Sequence, residues 1–384
     1  MAHRGFRIRP IAASVAAALV LAACNGEGDD VDDPVDEQAQ DEDIDPEQDG
    51  PDGPDADAGD DAQQDDDAGD DPAEADDPED VNESPEPDVD PAEVGADELG
   101  MVPVLMYHQL LDDGGSEWDM SPDEFRDELT YLFDNDYRPV RTIDLVRHEF
   151  DIPAGTTPVV LAFDDSTRNQ AYLDDDGEIH PDSSMGILID VASEYDDVDP
   201  VASLYIISSS IFGGGADGPE IVDALHDAGM EIGNHTHTHP GLGTVDDQTV
   251  QDELATTVSV LTDINSDIEV STLALPLGSM PENPELAASG TGEDGDYNHE
   301  AVLLVGSNPA PSPFSADFDP LALPRIQTHP DPEFLNGSAW WFEQLERGEA
   351  YQRYISDGDP DTISFPAERE DELADEFADR ANPY

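Results

Sequence analysis

The stretch PVVLAFDD, Pro158–Asp165, is an apolar run that ends in two carboxylates. A short apolar run of this kind suits a strand buried on both faces. An acid at the end of such a strand is costly to bury without a partner, which makes Asp164 and Asp165 candidates for chemistry. Further strands are expected on either side: VPVLMY (Val102–Tyr107), VASLYIISSSI (Val201–Ile211), EIG (Glu231–Gly233), STLALPLG (Ser271–Gly278) and AVLLVG (Ala301–Gly306). Between them lie helical patterns. SPDEFRDELTYLFDN (Ser121–Asn135) has Ser121 as N-cap and puts Phe125, Leu129, Leu132 and Phe133 on one face. EIVDALHDAG (Glu220–Gly229) ends on a glycine, and VQDELATTVSVLTDI (Val250–Ile264) is a third helix. Strands alternating with helices predict a parallel α/β fold, with chemistry at the carboxyl ends of the strands.

A second stretch ends a strand in the same way. EIGNHTHTHPGL (Glu231–Leu242) carries His235, His237 and His239 on alternate positions. On a helical turn, His235 and His239 would share a face and His237 would point elsewhere; on a strand all three would share one. Two histidines need a third ligand to make a metal site with an open position. Asp164 and Asp165, at a neighbouring strand end, are the obvious source. One of the pair could bind metal while the other stays free as a base. A surface histidine tract is the competing reading.

The charge is extreme. The chain has 384 residues, 95 acidic and 13 basic, for a formal net charge of −82, and every basic residue is Arg. Such a chain repels nucleic acid. Residues 25–98 hold 35 acidic residues and no basic one, with almost no large apolar side chain. They cannot bury enough surface to offset their ordering entropy, so a solvated, extended acidic tether is expected over 24–98. Residues 99–384 still carry 60 acidic residues against ten Arg, a pattern that predicts adaptation to high salt, where repulsion is screened.

The N-terminus reads as an address. Arg4, Arg7 and Arg9 precede the apolar Ile11–Ala23, which is too short to span a bilayer and suits a signal peptide over 1–23. It ends in Leu21-Ala22-Ala23-Cys24 and Cys24 is the single cysteine of the chain, so no internal disulfide can form. Small residues before this cysteine resemble the bacterial lipobox. That resemblance implies lipidation of Cys24 and a protein anchored on the outer face of the cell membrane.

The motifs in order are those of a known family. AFDD (Ala162–Asp165) and GNHTHTHP (Gly233–Pro240) resemble the first and second motifs of NodB-homology polysaccharide deacetylases. LALPLG (Leu273–Gly278) is similar to a variant of the third, LPRIQTH (Leu323–His329) is placed like the later strand, and VLMYH (Val104–His108) is similar to the N-terminal strand of members acting on bacterial surface glycans. The resemblance implies a distorted (β/α) barrel of about seven strands, within a catalytic domain over 99–384. It implies a divalent metal, commonly Zn2+, on Asp165, His235 and His239, with Asp164 as general base. Thr236 would support the loop, His237 would be a groove or packing residue, and Pro276 and Gly278 would support the site. Two positions depart from the family pattern: Ser166 replaces a glycine, and Ala274 stands where many members carry an arginine that orients the base. Arg325 is the candidate to replace that arginine. His329, His108 and His299 are candidates for the general acid, and Trp340-Trp341-Phe342 for sugar stacking or core packing.

The function that follows is metal-dependent removal of acetyl groups from an N-acetylated cell-envelope or extracellular polysaccharide, by a monomer. The alternatives are an O-acetyl carbohydrate esterase, a catalytically degenerate glycan-binding surface lipoprotein, and a metal-scavenging lipoprotein.

Overall fold

The structure is a computed structural model and describes residues 89–112 and 115–384. The expected signal peptide, Cys24 and most of the expected tether lie outside the described residues.

The strands are β1 (Val104–Tyr107), β2 (Tyr137–Pro139), β3 (Thr157–Phe163), β4 (Ser203–Ile206), β5 (Glu231–Asn234), β6 (Thr272–Ala274), β7 (Ser289–Gly292), β8 (Gly295–Asn298), β9 (Ala301–Leu303), β10 (Ile326–Gln327), β11 (Ile363–Phe365) and β12 (Ala381–Pro383). The α-helices are α1 (Pro91–Val94), α2 (Pro122–Asp134), α3 (Thr142–Arg147), α4 (Ser184–Ala192), α5 (Gly218–Asp227), α6 (Asp247–Ile264), α7 (Glu285–Ala288) and α8 (Ser338–Arg347). Seven parallel strands follow one another in the order β10-β1-β3-β4-β5-β6-β9, as the expected barrel requires. A bridge between Leu303 and Leu323, the latter just ahead of β10, brings the two ends of this path together. The distortion has a visible source. One edge of β3 is shared, with Thr157–Val159 paired to β2 and Ala162–Phe163 paired to β4.

Every residue of β1, β3, β4 and β5 is buried, which explains why VLMY of β1 and PVVLAF of β3 read as continuous apolar runs rather than alternating ones. Inside the ring, Tyr205 of β4 is fully buried, and a Cβ built on Gly233 of β5 would come 2.6 Å from its ring. The aromatic ring occupies space that only a glycine leaves on the facing strand.

Helix α2 shows how local signals set an element. Ser121 accepts from the Glu124 N–H, and the Glu124 carboxylate accepts from the Ser121 N–H, a complete capping box. Its Phe125, Leu129, Leu132 and Phe133 are buried in the main core, as the pattern predicts.

Three expectations shift. The strand expected over Val201–Ile211 stops at Ile206, and a 3₁₀ turn covers Ile211–Gly213. The strand expected over Ser271–Gly278 stops at Ala274 because Pro276 lacks a donor and Leu277 and Gly278 have positive φ (56° and 62°). The tether expected to run to residue 98 ends earlier. α1 is capped by Asp90, Asp97 bridges to Ile355, and Glu98 is buried, accepting from the Ser364 N–H and the Tyr354 hydroxyl.

Candidate active site

The parallel register delivers the first pair of groups. Tyr107 of β1 stands opposite Phe163 of β3, so the residues that follow, His108 and Asp164, leave the sheet side by side. Asp164 is buried and accepts both guanidinium nitrogens of Arg325, at 2.7 and 2.8 Å. Arg325 is fully buried, and its Nε donates to the Leu304 carbonyl. Burial opposes the charge on Asp164, but Arg325, with His235 and His108 nearby, outweighs it and holds the carboxyl down at about 2. The group is therefore ionised at any physiological pH.

The second pair comes from the turn after β5. This turn is neither of the two geometries considered for the histidine tract. Thr236 and His239 both have positive φ (66° and 62°), so the chain doubles back on itself. The Asn234 side chain accepts from the Thr236 N–H, and Thr236 Oγ1 accepts from the His239 N–H. His235 and His239 thereby face Asp165, their Nε2 atoms 3.4 and 3.3 Å from its Oδ1. One ligand atom from each of the three residues lies within 4.8 Å of the others. The donors suit a divalent cation. His235 Nδ1–H donates to the Ala274 carbonyl at 2.8 Å, which leaves the Nε2 lone pair turned to the site. Two imidazoles and a carboxylate are a zinc-type set with room for further ligands.

The remaining expected residues divide. His237 turns away, its Nδ1 2.9 Å from Ser208 Oγ. Pro276 and Gly278 frame Leu277, which is 76% exposed at the edge of the site, and a Cβ on Gly278 would meet Val305 at 2.9 Å. Ser166, in place of the expected glycine, adopts φ 45° and accepts the Ile207 N–H on its Oγ. Ala274 contributes its carbonyl. His108 lines the cleft, and its Nδ1 is buried without a partner among the described residues.

His329 is not brought to this cleft. Its ring stacks on Phe334 at 4.0 Å and its Nδ1 accepts the Asp331 N–H, because the chain after β10 turns back toward α8. His299 is buried between Asn234 and Ala287, where burial lowers it to about 4. Trp341 and Phe342 are core residues. The cleft, of about 420 Å³, is lined instead by Trp118, Leu277 and Val305 beside the polar groups. Trp118 and Val305 are not among the residues that the sequence singles out; Leu277 is, within LALPLG. Trp118 lies in a polar loop without periodicity, whereas Leu277, an apolar residue between proline and glycine at a strand end, is readable from its place.

Residues 153–293 match the family model of polysaccharide deacetylases. This segment is a polysaccharide deacetylase domain. The deacetylase segment includes Asp164, Asp165, His235 and His239, while His108 and Arg325 lie outside it. Several solved structures are similar in part. Streptococcus pyogenes deacetylase PplD, solved in complex with acetate, has a TM-score of 0.48 at 20% identity over 64% of this chain and 97% of that one. BC0361, a polysaccharide deacetylase from Bacillus cereus, has a TM-score of 0.46 at 20% identity over 60% of this chain. IcaB from Ammonifex degensii has a TM-score of 0.43 at 16% identity, covering 60% and 93%. The chain spans 66% of the Bacillus cereus protein, just under two thirds of it. No curated protein sequence matches the chain.

Proposed function

We propose that the chain is a metal-dependent hydrolase that removes acetyl groups from an N-acetylated glycan. The observation that carries this reading is the convergence of Asp165, His235 and His239 beside an ionised, Arg325-held Asp164 in one cleft. A divalent cation held by those three residues, zinc by its donor set, would supply Lewis-acid polarisation of the acetyl carbonyl and acidify a water. Asp164 accepts the proton of the water that adds to the amide carbon. His108, which lines the same cleft, donates a proton to the departing sugar nitrogen as the C–N bond breaks, leaving acetate and a free amine. His108 takes this role in preference to His329, which does not line the cleft. Trp118 offers a ring for a sugar face.

The test is acetate release from N-acetylglucosamine oligomers in molar salt, with zinc or with chelator. Wild type should release acetate only with metal. Asp164→Asn and His108→Gln should bind metal and lose activity by roughly 10²-fold or more. A wild type that binds metal and releases no acetate from any N-acetylated glycan sinks the reading. The cellular setting belongs to the same proposal: lipidation at Cys24 would hold a monomer on the outer membrane face. Metabolic labelling with a fatty-acid analogue should mark wild type and not Cys24→Ser.

A further inference from the structure

We propose that Gln170 is a positioning residue that fixes the separation of His108 and Asp164. The proposal rests on the deacetylase reading above, in which those two residues are acid and base. The Gln170 side chain is fully buried. Its Nε2 lies 2.7 Å from the His108 carbonyl oxygen and 2.6 Å from the Asp164 carbonyl oxygen. Both neighbours are acceptors, so the amide has one possible orientation: each hydrogen of the NH2 group is donated to one carbonyl. The site of the clamp matters. The registered pairs of β1 and β3 end at Tyr107 and Phe163, and the last backbone bond between them runs from the Asp164 N–H to the Tyr107 carbonyl. Past that bond no further backbone hydrogen bond joins the two segments among the described residues, and Gln170 links them at the two residues assigned to the chemistry. Asn169 extends the link by donating to the Leu110 carbonyl.

The clamp is itself anchored. The Gln170 N–H donates to the Thr167 carbonyl, and the Gln170 carbonyl accepts the Met185 N–H in the first turn of α4. It also carries a cost at its other polar atom. Gln170 Oε1 is buried with no partner among the described residues; an apolar side chain of the same length would remove that orphan but take both donated hydrogens from the His108 and Asp164 carbonyls. An amide kept at that cost points to its two donated hydrogens as the reason for its presence.

The experiment compares Gln170→Met, which keeps length and removes both donors, and Gln170→Asn, which keeps an amide too short to reach both carbonyls. Thr157→Val serves as control, removing a buried bond to the Tyr354 carbonyl at the far end of β3. Zinc stoichiometry, thermal melting, kcat and KM are measured on N-acetylglucosamine oligomers in molar salt. Both Gln170 variants should bind zinc as wild type does and keep KM within about twofold. Their kcat should fall about ten- to a hundredfold, the penalty of small misplacement of reacting groups, while Thr157→Val keeps kcat. If kcat survives in the Gln170 variants, or falls only in step with folded fraction as in the control, the positioning role is wrong. If neither variant folds with zinc bound, Gln170 is structural and the assignment falls. A wild type without turnover overturns the deacetylase reading and this proposal together; an active wild type beside unimpaired variants overturns this proposal alone.

Discussion

Arg325 is 161 residues from Asp164 in the chain and 2.7 Å from it in the fold. Its guanidinium matches the carboxylate with two parallel bonds, a fit that lysine cannot reproduce. The pair is buried, which sets the sign of a stability prediction. Arg325→Met leaves Asp164 as an uncompensated buried charge and should destabilise by about 3–5 kcal/mol. The double variant Asp164→Asn with Arg325→Met should regain much of that loss, because no charge is left stranded. Denaturant unfolding of the three variants checks this; a double variant less stable than Arg325→Met would refute it. At this scale the histidine tract also resolves. His235→Ala and His239→Ala should each lose zinc, whereas His237→Ala, whose ring meets Ser208, should retain it. Equilibrium dialysis with metal analysis decides. The spacing alone allowed a helix or a strand, and the positive φ of Thr236 and His239 made it neither.

At the scale of elements, β5 depends on a glycine because of what fills the ring. Gly233→Ala would drive a methyl group into the Tyr205 ring, and overpacking of this kind costs about 1–3 kcal/mol. A thermal melt should show the loss, and Gly233→Ala with Tyr205→Leu should recover part of it. The segment ahead of β1 carries a pH-dependent term. Burial, and then the Asp357 charge, push Glu98 up to about 8 from an ordinary value near 4.5. Folding thus favours the protonated carboxyl. Its contribution is complete below about pH 4.5, where the unfolded chain is protonated too. It erodes as pH rises toward 8 and is spent above that. Glu98→Gln keeps the volume and can accept the Ser364 N–H while donating to the Tyr354 hydroxyl. Its stability relative to wild type should therefore rise between pH 5 and 9, by up to a few kcal/mol. A difference that stays constant across that range would contradict the assignment.

For the whole molecule, the net charge of −82 outweighs any single pair. Raising salt from ~0.01 to ~1 M shortens the Debye length from ~30 to ~3 Å. The melting temperature should climb across that range and level off as repulsion is screened. A melt that does not respond to salt would remove the salt-adaptation reading. Much at this scale was legible in the chain. Apolar runs marked buried parallel strands, since both faces of each are covered, and Ser121 as N-cap marked the start of α2. PVVLAFDD placed two carboxylates at a strand end, and the order of motifs pointed to the barrel. These are local properties: period, caps and the residues next to a strand end are read within a dozen positions. The tertiary structure alone decided the rest. It brought Arg325, not His329, to the site, put Gln170 between two carbonyls and lined one cleft with both Trp118 and Leu277. Those contacts depend on which strand lies beside which and where each chain turns on leaving the sheet, and such long-range register is not written in any one stretch.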